Sequence, residues 1–248
     1  MSSRSSASFA LSFLLGAVMV LSTLLPYRVS ANVLGSSPSA PTLFSIDQYA
    51  TSNGTTSSVA LPVSLAGAST TASNTCAADQ FNRSVAKGWG NASVGGSYAL
   101  VGPVEHFSVD GSAGTMTLPS AGTGRSAFPS DVTTQDADIT LRVQTDKPAT
   151  GGGLFVYAIA RRTGNTTQYQ GQFRLASNGN VALRATRVIE GVGEALSAEL
   201  VVPGITHAAS NYLWMRMQAI GTDPTSIKLK VWAHGQVEPA EWQYQVSD

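Results

Sequence analysis

The sequence predicts an all-β protein in which antiparallel strands form a two-sheet β-sandwich or jelly roll. Three observations support this class: 24 glycines among 248 residues, a period-two alternation of apolar and polar residues in the second part of the chain, and polar turn segments between the alternating runs. Glycine suits tight turns and costs stability inside helices. Many short strands closed around one core predict two packed sheets.

The first 31 residues have the order of a secretory signal peptide. Arg4 lies in a serine-rich head, an apolar stretch runs from Phe9 to Leu25, and a small-residue end follows at Ala31. We expect cleavage after Ala31 and a secreted or cell-surface protein. The alternative is an uncleaved anchor, since the apolar stretch is at the lower limit for spanning a bilayer. The protein would then contact a membrane only through this segment.

Residues 32–78 differ in composition from the rest of the chain. They are rich in Ser, Thr, Ala and Gly, and Asp47 is their one charged residue. Such a segment buries too little apolar surface to offset the entropy of ordering it. We therefore expect a flexible spacer over 32–78 and the β-sandwich domain over 79–248.

Charge and cysteine content exclude several classes of partner and site. Fifteen basic and fifteen acidic residues balance, so no strong field attracts nucleic acid. The single cysteine, Cys76, excludes an internal disulfide. Folding must therefore depend on a packed core.

Alternation predicts the strands of the domain one by one. In "DADITLRVQTD" the residues Ile139, Leu141 and Val143 face one way, and Thr140, Arg142 and Gln144 face the other. The same pattern predicts strands in "YQGQFRLA", "NVALRATR", "YLWMRMQAI" and "TSIKLKVWAH". In "GGGLFVYAIARR" the glycines precede the apolar run, which indicates a turn that leads into a central strand with two apolar faces, and not a phosphate-binding loop.

Several segments together resemble a module of large secreted bacterial surface proteins. They are "DQFNRSVAKGWGNASVGGSYAL", "HFSVDGSAGTMTL", "ATGGGLFVYAIARR" and "LWMRMQAIGTDPTSIKLKVWAHGQVEPAEWQ". The module is identified as a concanavalin A-like, laminin G-like jelly roll, and the resemblance covers about Asp79 to Asp248. It implies a fold and a cell-surface location more than an activity. Such modules usually continue into one or two further strands, the last rich in aspartate, so an incomplete sandwich is one expectation.

Catalytic signals are weak. Glycoside hydrolysis needs two carboxylates on one face, and Asp136 and Asp138 are the one close pair with that spacing. They stand at a strand entrance after a polar loop, so we interpret them as a solvated strand end. The sequence favours a non-enzymatic module and leaves an enzyme open.

Oxygen-rich side chains suggest a calcium site, because sandwich lectins often hold this ion between loops. The candidate ligands are Asp79, Asp110 and Asp248. Asp79 is favoured because it opens the domain.

Aromatic and polar side chains on the faces opposite the predicted core suggest a carbohydrate platform. Sugars bind by stacking on flat rings and by hydrogen bonds from neighbouring polar groups. The alternative is that the two tryptophans cover a second face of the core. The platform also requires its members to share one sheet: Tyr157, Gln172, Arg174, Trp214, Arg216 and Trp232.

The function predicted from these features is a secreted module for carbohydrate binding or cell-surface structure and adhesion. Its expected partner is a polysaccharide or cell-surface glycan. Two alternatives stay open: an extracellular glycan-active enzyme or its accessory domain, and a module that binds a protein through an exposed strand edge.

Overall fold

The computed structural model describes residues 27–34, as backbone, and residues 77–248 except 165. The predicted signal peptide and spacer otherwise lie outside the described residues. Within them there is one short 3-10 helix, Val104–His106. The strands are β1 (Tyr27–Leu34), β2 (Ala78–Asp79), β3 (Ser84–Val85), β4 (Tyr98–Val101), β5 (Phe107–Asp110), β6 (Gly114–Leu118), β7 (Ser126–Pro129), β8 (Ala137–Thr145), β9 (Leu154–Thr163), β10 (Thr167–Leu175), β11 (Asn180–Ile189), β12 (Val192–Ala195), β13 (Leu200–Thr206), β14 (Leu213–Ile220), β15 (Ser226–Ala233) and β16 (Tyr244–Ser247).

The strands form two main antiparallel sheets. The large sheet has the order β16-β15-β14-β8-β1-β6-β5-β3, with β2 also paired to β1. The small sheet has the order β12-β11-β10-β9, with β13 also paired to β11, and β4 and β7 form a separate pair. This arrangement confirms the predicted all-β, antiparallel sandwich.

The core lies between the two sheets. In β14, Met215 and Met217 are fully buried, and Trp214 and Arg216 alternate with them, as period-two geometry requires. Gly171 of β10 lies where the two sheets approach each other closely, because a Cβ there would lie 2.5 Å from a methyl group of Leu229 in β15. The alternating strand pattern therefore predicts which side chains enter the core.

The segment "GGGLFVYAIARR" forms a turn followed by β9, as predicted. Val156 and Ala158 on one face and Tyr157 and Ile159 on the other are all buried. Within the described residues, however, β9 is the outermost strand of the small sheet and not a central one. Apolar residues on both faces of a strand indicate that both faces are covered. They do not show whether the strand has a neighbour on each side.

Strand β1 lies inside the large sheet and crosses the predicted cleavage position. From Val29 to Leu34 it pairs with β8, and from Tyr27 to Ala31 it pairs with β6. Cleavage after Ala31 would divide this strand, and it stays a prediction. Among the residues described, no helix is long and apolar enough to cross a membrane.

Candidate functional site: the outer face of the large sheet

The six residues predicted to bind a ligand lie on two different sheets. β14 and β15 belong to the large sheet, and β9 and β10 belong to the small sheet. Because the core separates the outward faces of these sheets, the six side chains do not form one platform. The large sheet carries Trp214, Arg216 and Trp232, and the small sheet carries Tyr157, Gln172 and Arg174.

A row of three large side chains crosses the outer face of the large sheet. Arg142 of β8 is in register with Trp214 of β14, which is in register with Trp232 of β15. Directly opposed residues on neighbouring strands place their side chains together. The two indole rings accordingly stack, with centroids 5.9 Å apart and planes 8° from parallel. Trp232 is 6% exposed, and Trp214 is more open.

Tyr212 and His234 extend this row at one end. The Trp214 Nε1 group donates a hydrogen bond to Nδ1 of the exposed His234 at 3.2 Å. The Tyr212 ring packs edge-on to the imidazole, with centroids 5.9 Å apart. The Arg142 guanidinium lies 4.4 Å from the centre of the Tyr212 ring. We call Arg142, Tyr212, Trp214, Trp232 and His234 the aromatic face.

An ion network borders the aromatic face. Arg216 donates to both carboxylate oxygens of Asp138, at 2.7 and 2.6 Å, and the hydrogen bond to Asp138 raises the arginine pKa. Glu238 bridges Arg216 and Lys230. Although burial opposes it, hydrogen bonds from these two cations lower the pKa of Glu238. The Lys230 ammonium also lies 4.5 Å from the centre of the Trp242 ring. Arg216 is therefore engaged by acidic groups of the protein itself.

Arg142 differs from the neighbouring cations in its hydrogen bonding. Its side chain is 1% exposed, and its Nε and Nη2 atoms have no hydrogen-bond partner among the residues described. Burial lowers the pKa of this guanidinium. Contact with the Tyr212 and Trp214 rings compensates part of the lost hydration, and donors remain for another acceptor.

The other three predicted residues belong to a hydrogen-bonded network on the small sheet. Gln172, 1% exposed, accepts hydrogen bonds from Arg184 at 2.9 Å and from Tyr157 at 3.4 Å. Its amide donates to Glu199 at 3.3 Å, and Arg174 donates to the same carboxylate at 2.7 Å. These side chains bind one another.

A cleft of about 450 Å³ opens between β4 and β7 on one side and β9 to β12 on the other. Arg162, Gln168 and Gln170 line it with small residues, and its described lining contains no aromatic side chain. The Arg162 guanidinium lies 4.1 Å from the centre of the Phe128 ring. The cleft therefore offers polar groups without a flat surface for stacking.

Both carboxylates of the catalytic candidate pair contact arginine. Asp136 is exposed, lies 3.2 Å from an Arg161 guanidinium nitrogen, and accepts a hydrogen bond from the Gly221 backbone. Asp138 is held by Arg216. These contacts secure the start of β8.

The three predicted calcium ligands have separate partners. Asp79 is buried and makes a two-point contact with Arg83. Asp110 accepts backbone hydrogen bonds in its own turn, and Asp248 contacts Arg187 beyond β16, at the opposite edge of the large sheet. Within residues 77–248, apart from 165, no three His, Cys, Asp or Glu side chains come together as a metal site. Calcium binding stays a prediction.

Comparison of the chain with protein-family models, curated proteins and solved structures finds no match. Sequence reasoning did not select Arg142, Tyr212 or His234 for the platform. Their signal is the register of β8, β14 and β15, which places Arg142 in one row with the tryptophans.

Proposed function

We propose that this chain is a non-catalytic, extracellular β-sandwich module of the concanavalin A-like kind, and that it binds carbohydrate on the aromatic face. The stacked Trp214–Trp232 pair beside Tyr212 and His234 carries the proposal. A flat ring offers an apolar surface to the C–H face of a sugar, and neighbouring polar groups bind its hydroxyls. Trp214 supplies the ring, and the exposed His234 supplies a polar edge.

The arrangement of the two indoles favours binding by a surface that is already formed. The buried Trp232 supports Trp214 from the next strand, and His234 accepts the indole hydrogen bond. A ring fixed before binding loses little conformational entropy when a ligand arrives.

The charges around the aromatic face indicate a neutral sugar ligand. Arg216 and Lys230 are paired with Asp138 and Glu238. Because these cations already have acidic partners, they offer little net attraction to a strongly anionic chain. The Arg142 guanidinium is 1% exposed and adds little attraction at the surface, so a neutral polysaccharide or cell-surface glycan is the expected ligand.

Binding without hydrolysis agrees with the contacts of Asp136 and Asp138. Glycosidases need one carboxyl group as an acid and another as a nucleophile or base beside the sugar bond. Here each carboxylate is occupied by an arginine. The test is to exchange both aspartates for asparagine and to measure glycan hydrolysis. If a preparation of the protein hydrolyses a glycan, we expect the exchange to leave the rate unchanged. A loss of hydrolysis would favour a glycan-active enzyme.

A glycan array probed with the full chain tests the proposal. Trp214→Ala removes the partly exposed ring, and Phe155→Ala is the matched control, since Phe155 stacks on Tyr157 on the small sheet. We expect Trp214→Ala to weaken binding at least tenfold, about 1.4 kcal/mol, and Phe155→Ala to bind like the wild type. If the folded wild-type chain binds no glycan, only the structural role is left.

A further inference from the structure

A third tryptophan lies at the border of the aromatic face. Trp242 belongs to the segment between β15 and β16, and its side chain is partly exposed. The Lys230 ammonium lies 4.5 Å from the centre of its ring, and the Arg216 guanidinium carbon lies 5.6 Å from the same point. Lys230 and Arg216 are directly opposed on β15 and β14, so both belong to the outer face of the large sheet. The Trp242 ring therefore lies over that face.

Hydrogen bonds to β15 hold the segment that carries this ring. The Gln243 side-chain oxygen accepts from the Val231 backbone N–H at 2.8 Å, and the Gln243 side-chain amide donates to the Val231 carbonyl at 3.1 Å. One side chain thus satisfies both backbone groups of Val231, as a neighbouring strand would. Lys230 also donates to the Pro239 carbonyl at 2.9 Å. Trp242 is therefore held on both sides in the chain, and its ring is in place before a ligand arrives.

Trp242 and Trp214 lie at different positions along β14. Arg216 follows Trp214 by two residues, which is about 7 Å at the usual rise of a strand. The Arg216 guanidinium binds Asp138, which is in register with Gln218, so the arginine side chain is directed away from Trp214. The Trp242 ring lies beside this guanidinium. A single sugar ring therefore cannot stack on both tryptophans, whereas an extended chain of sugars can.

Glu238 provides a hydrogen-bond acceptor near the Trp242 ring. It contacts Arg216 and Lys230 through one oxygen, Oε1, at 2.5 and 2.6 Å. Its other oxygen, Oε2, has no hydrogen bond to any residue that the structure describes, and the side chain is 35% exposed. A carboxylate oxygen accepts hydrogen bonds from hydroxyl groups. Glu238 therefore combines a fixed position with an acceptor for a sugar hydroxyl.

We propose that Trp242 is a second stacking surface of the carbohydrate site, and that the ligand is an extended stretch of a neutral polysaccharide and not a single sugar. This inference rests on the proposed function, because Trp214 is the first surface. One sugar unit stacks on Trp214, a later unit of the same chain stacks on Trp242, and Glu238 accepts a hydroxyl there. Once the first unit is bound, the second contact forms within one complex, so two weak contacts give a higher affinity together.

Titration of the full chain with neutral oligosaccharides of increasing length tests the proposal. The probes are β-linked gluco-, xylo- and manno-oligosaccharides, each from the single sugar to the hexasaccharide, and nuclear magnetic resonance detects weak as well as strong binding. For at least one series we expect the affinity to rise with length by about tenfold or more. Trp242→Ala should remove this rise, and Trp214→Ala should weaken binding at every length. Phe155→Ala, on the small sheet, is the matched control and should show the wild-type rise.

Two further variants separate stacking from a structural role of the ring. Trp242→Phe retains a flat ring and should restore most of the rise in affinity with length. Trp242→Gln removes the ring but keeps a long side chain, and it replaces Trp242→Ala if thermal unfolding shows that the alanine variant does not fold.

The outcomes distinguish this inference from the proposed function. If the wild type binds short and long chains equally well, or if folded Trp242→Ala or Trp242→Gln shows the wild-type rise, the second surface is wrong and binding at Trp214 stands. If the wild type binds no probe of any length, the inference is overturned, and the glycan array shows whether carbohydrate binding as a whole fails with it.

Discussion

The outer faces of the two sheets differ in how their polar groups are used. On the small sheet, Gln172 connects Tyr157, Arg184 and Glu199 in a network of hydrogen bonds between protein side chains. On the large sheet, Trp214 presents a partly exposed ring beside the exposed His234. The first arrangement stabilises a buried polar surface, and the second leaves groups for a ligand. Residue types alone do not distinguish the two.

The largest expected effect is a loss of folding stability when a polar side chain is removed from the small sheet. Gln172→Ala leaves the Tyr157, Arg184 and Glu199 groups without their central partner, and we expect a loss of about 3 kcal/mol in the free energy of unfolding. Gln218→Ala is the control on the large sheet, where Gln218 donates to Asp138 at 2.6 Å in a more open setting, and it should cost less than about 1 kcal/mol. Urea denaturation measures both, and equal losses would remove the distinction.

Acid should destabilise the fold at His207, because a buried imidazole resists protonation. His207, after β13, contacts Thr145 Oγ1 of β8 through Nε2 at 2.7 Å, and burial lowers the pKa of His207 to about 4. The unfolded chain, with an ordinary histidine pKa near 6.5, binds the extra proton. The contribution of neutral His207 to the free energy of unfolding is thus complete above about pH 6.5. It is lost as the pH falls toward 4, by roughly 3 kcal/mol.

Unfolding measured as a function of pH tests this contribution. His207→Asn should lose less stability than the wild type between pH 6.5 and 4. His234→Asn, at an exposed histidine, is the control and should follow the wild-type curve. Parallel curves for all three proteins would show that His207 does not cause the acid sensitivity.

The next largest change in stability is expected from a substitution in the core between the two sheets. Gly171→Ala would place a Cβ 2.5 Å from Leu229 and 2.9 Å from the sulfur of Met217, so these two buried side chains would have to shift in a packed core, at a cost of about 2 kcal/mol. Gly193→Ala is the control, because its nearest neighbour would be 3.4 Å away. Thermal unfolding should separate the two variants. If Gly171→Ala is as stable as the control, the core between β10 and β15 has room for an additional methyl group.

The smallest loss of folding stability is expected when the ion network of the large sheet is disrupted. Arg216→Met removes the pairs with Asp138 and Glu238, and we expect a loss of about 1 kcal/mol because these charges are partly hydrated. Added salt should reduce the difference from the wild type. A loss as large as that of Gln172→Ala would mean that the two faces are stabilised to the same extent.

Local patterns made the strands predictable, but not their assignment to sheets. Alternation of Ile139, Leu141 and Val143 with polar residues is visible within one strand, since every second side chain points the same way. Which strands are neighbours depends on pairings between distant residues. The predicted platform therefore joined Gln172 with Trp214, which lie on different sheets.

The missed part of the site has the same origin. Arg142 was predicted to face outward, but only register places it beside Trp214. Tyr212 precedes β14 and His234 follows β15, and the antiparallel pairing of these two strands brings the two residues together. A local sequence pattern does not reveal a contact between residues so far apart in the chain.

The position of β1 also sets the order in which the chain can finish folding. Its pairing partners, β6 and β8, are synthesised long after it, and ladders between distant segments form slowly because a long loop must close first. Strand β1 cannot complete its pairing with β8 until Thr145, the last residue of β8, has been synthesised. Until then β6 and β8 lack the strand that pairs with both of them.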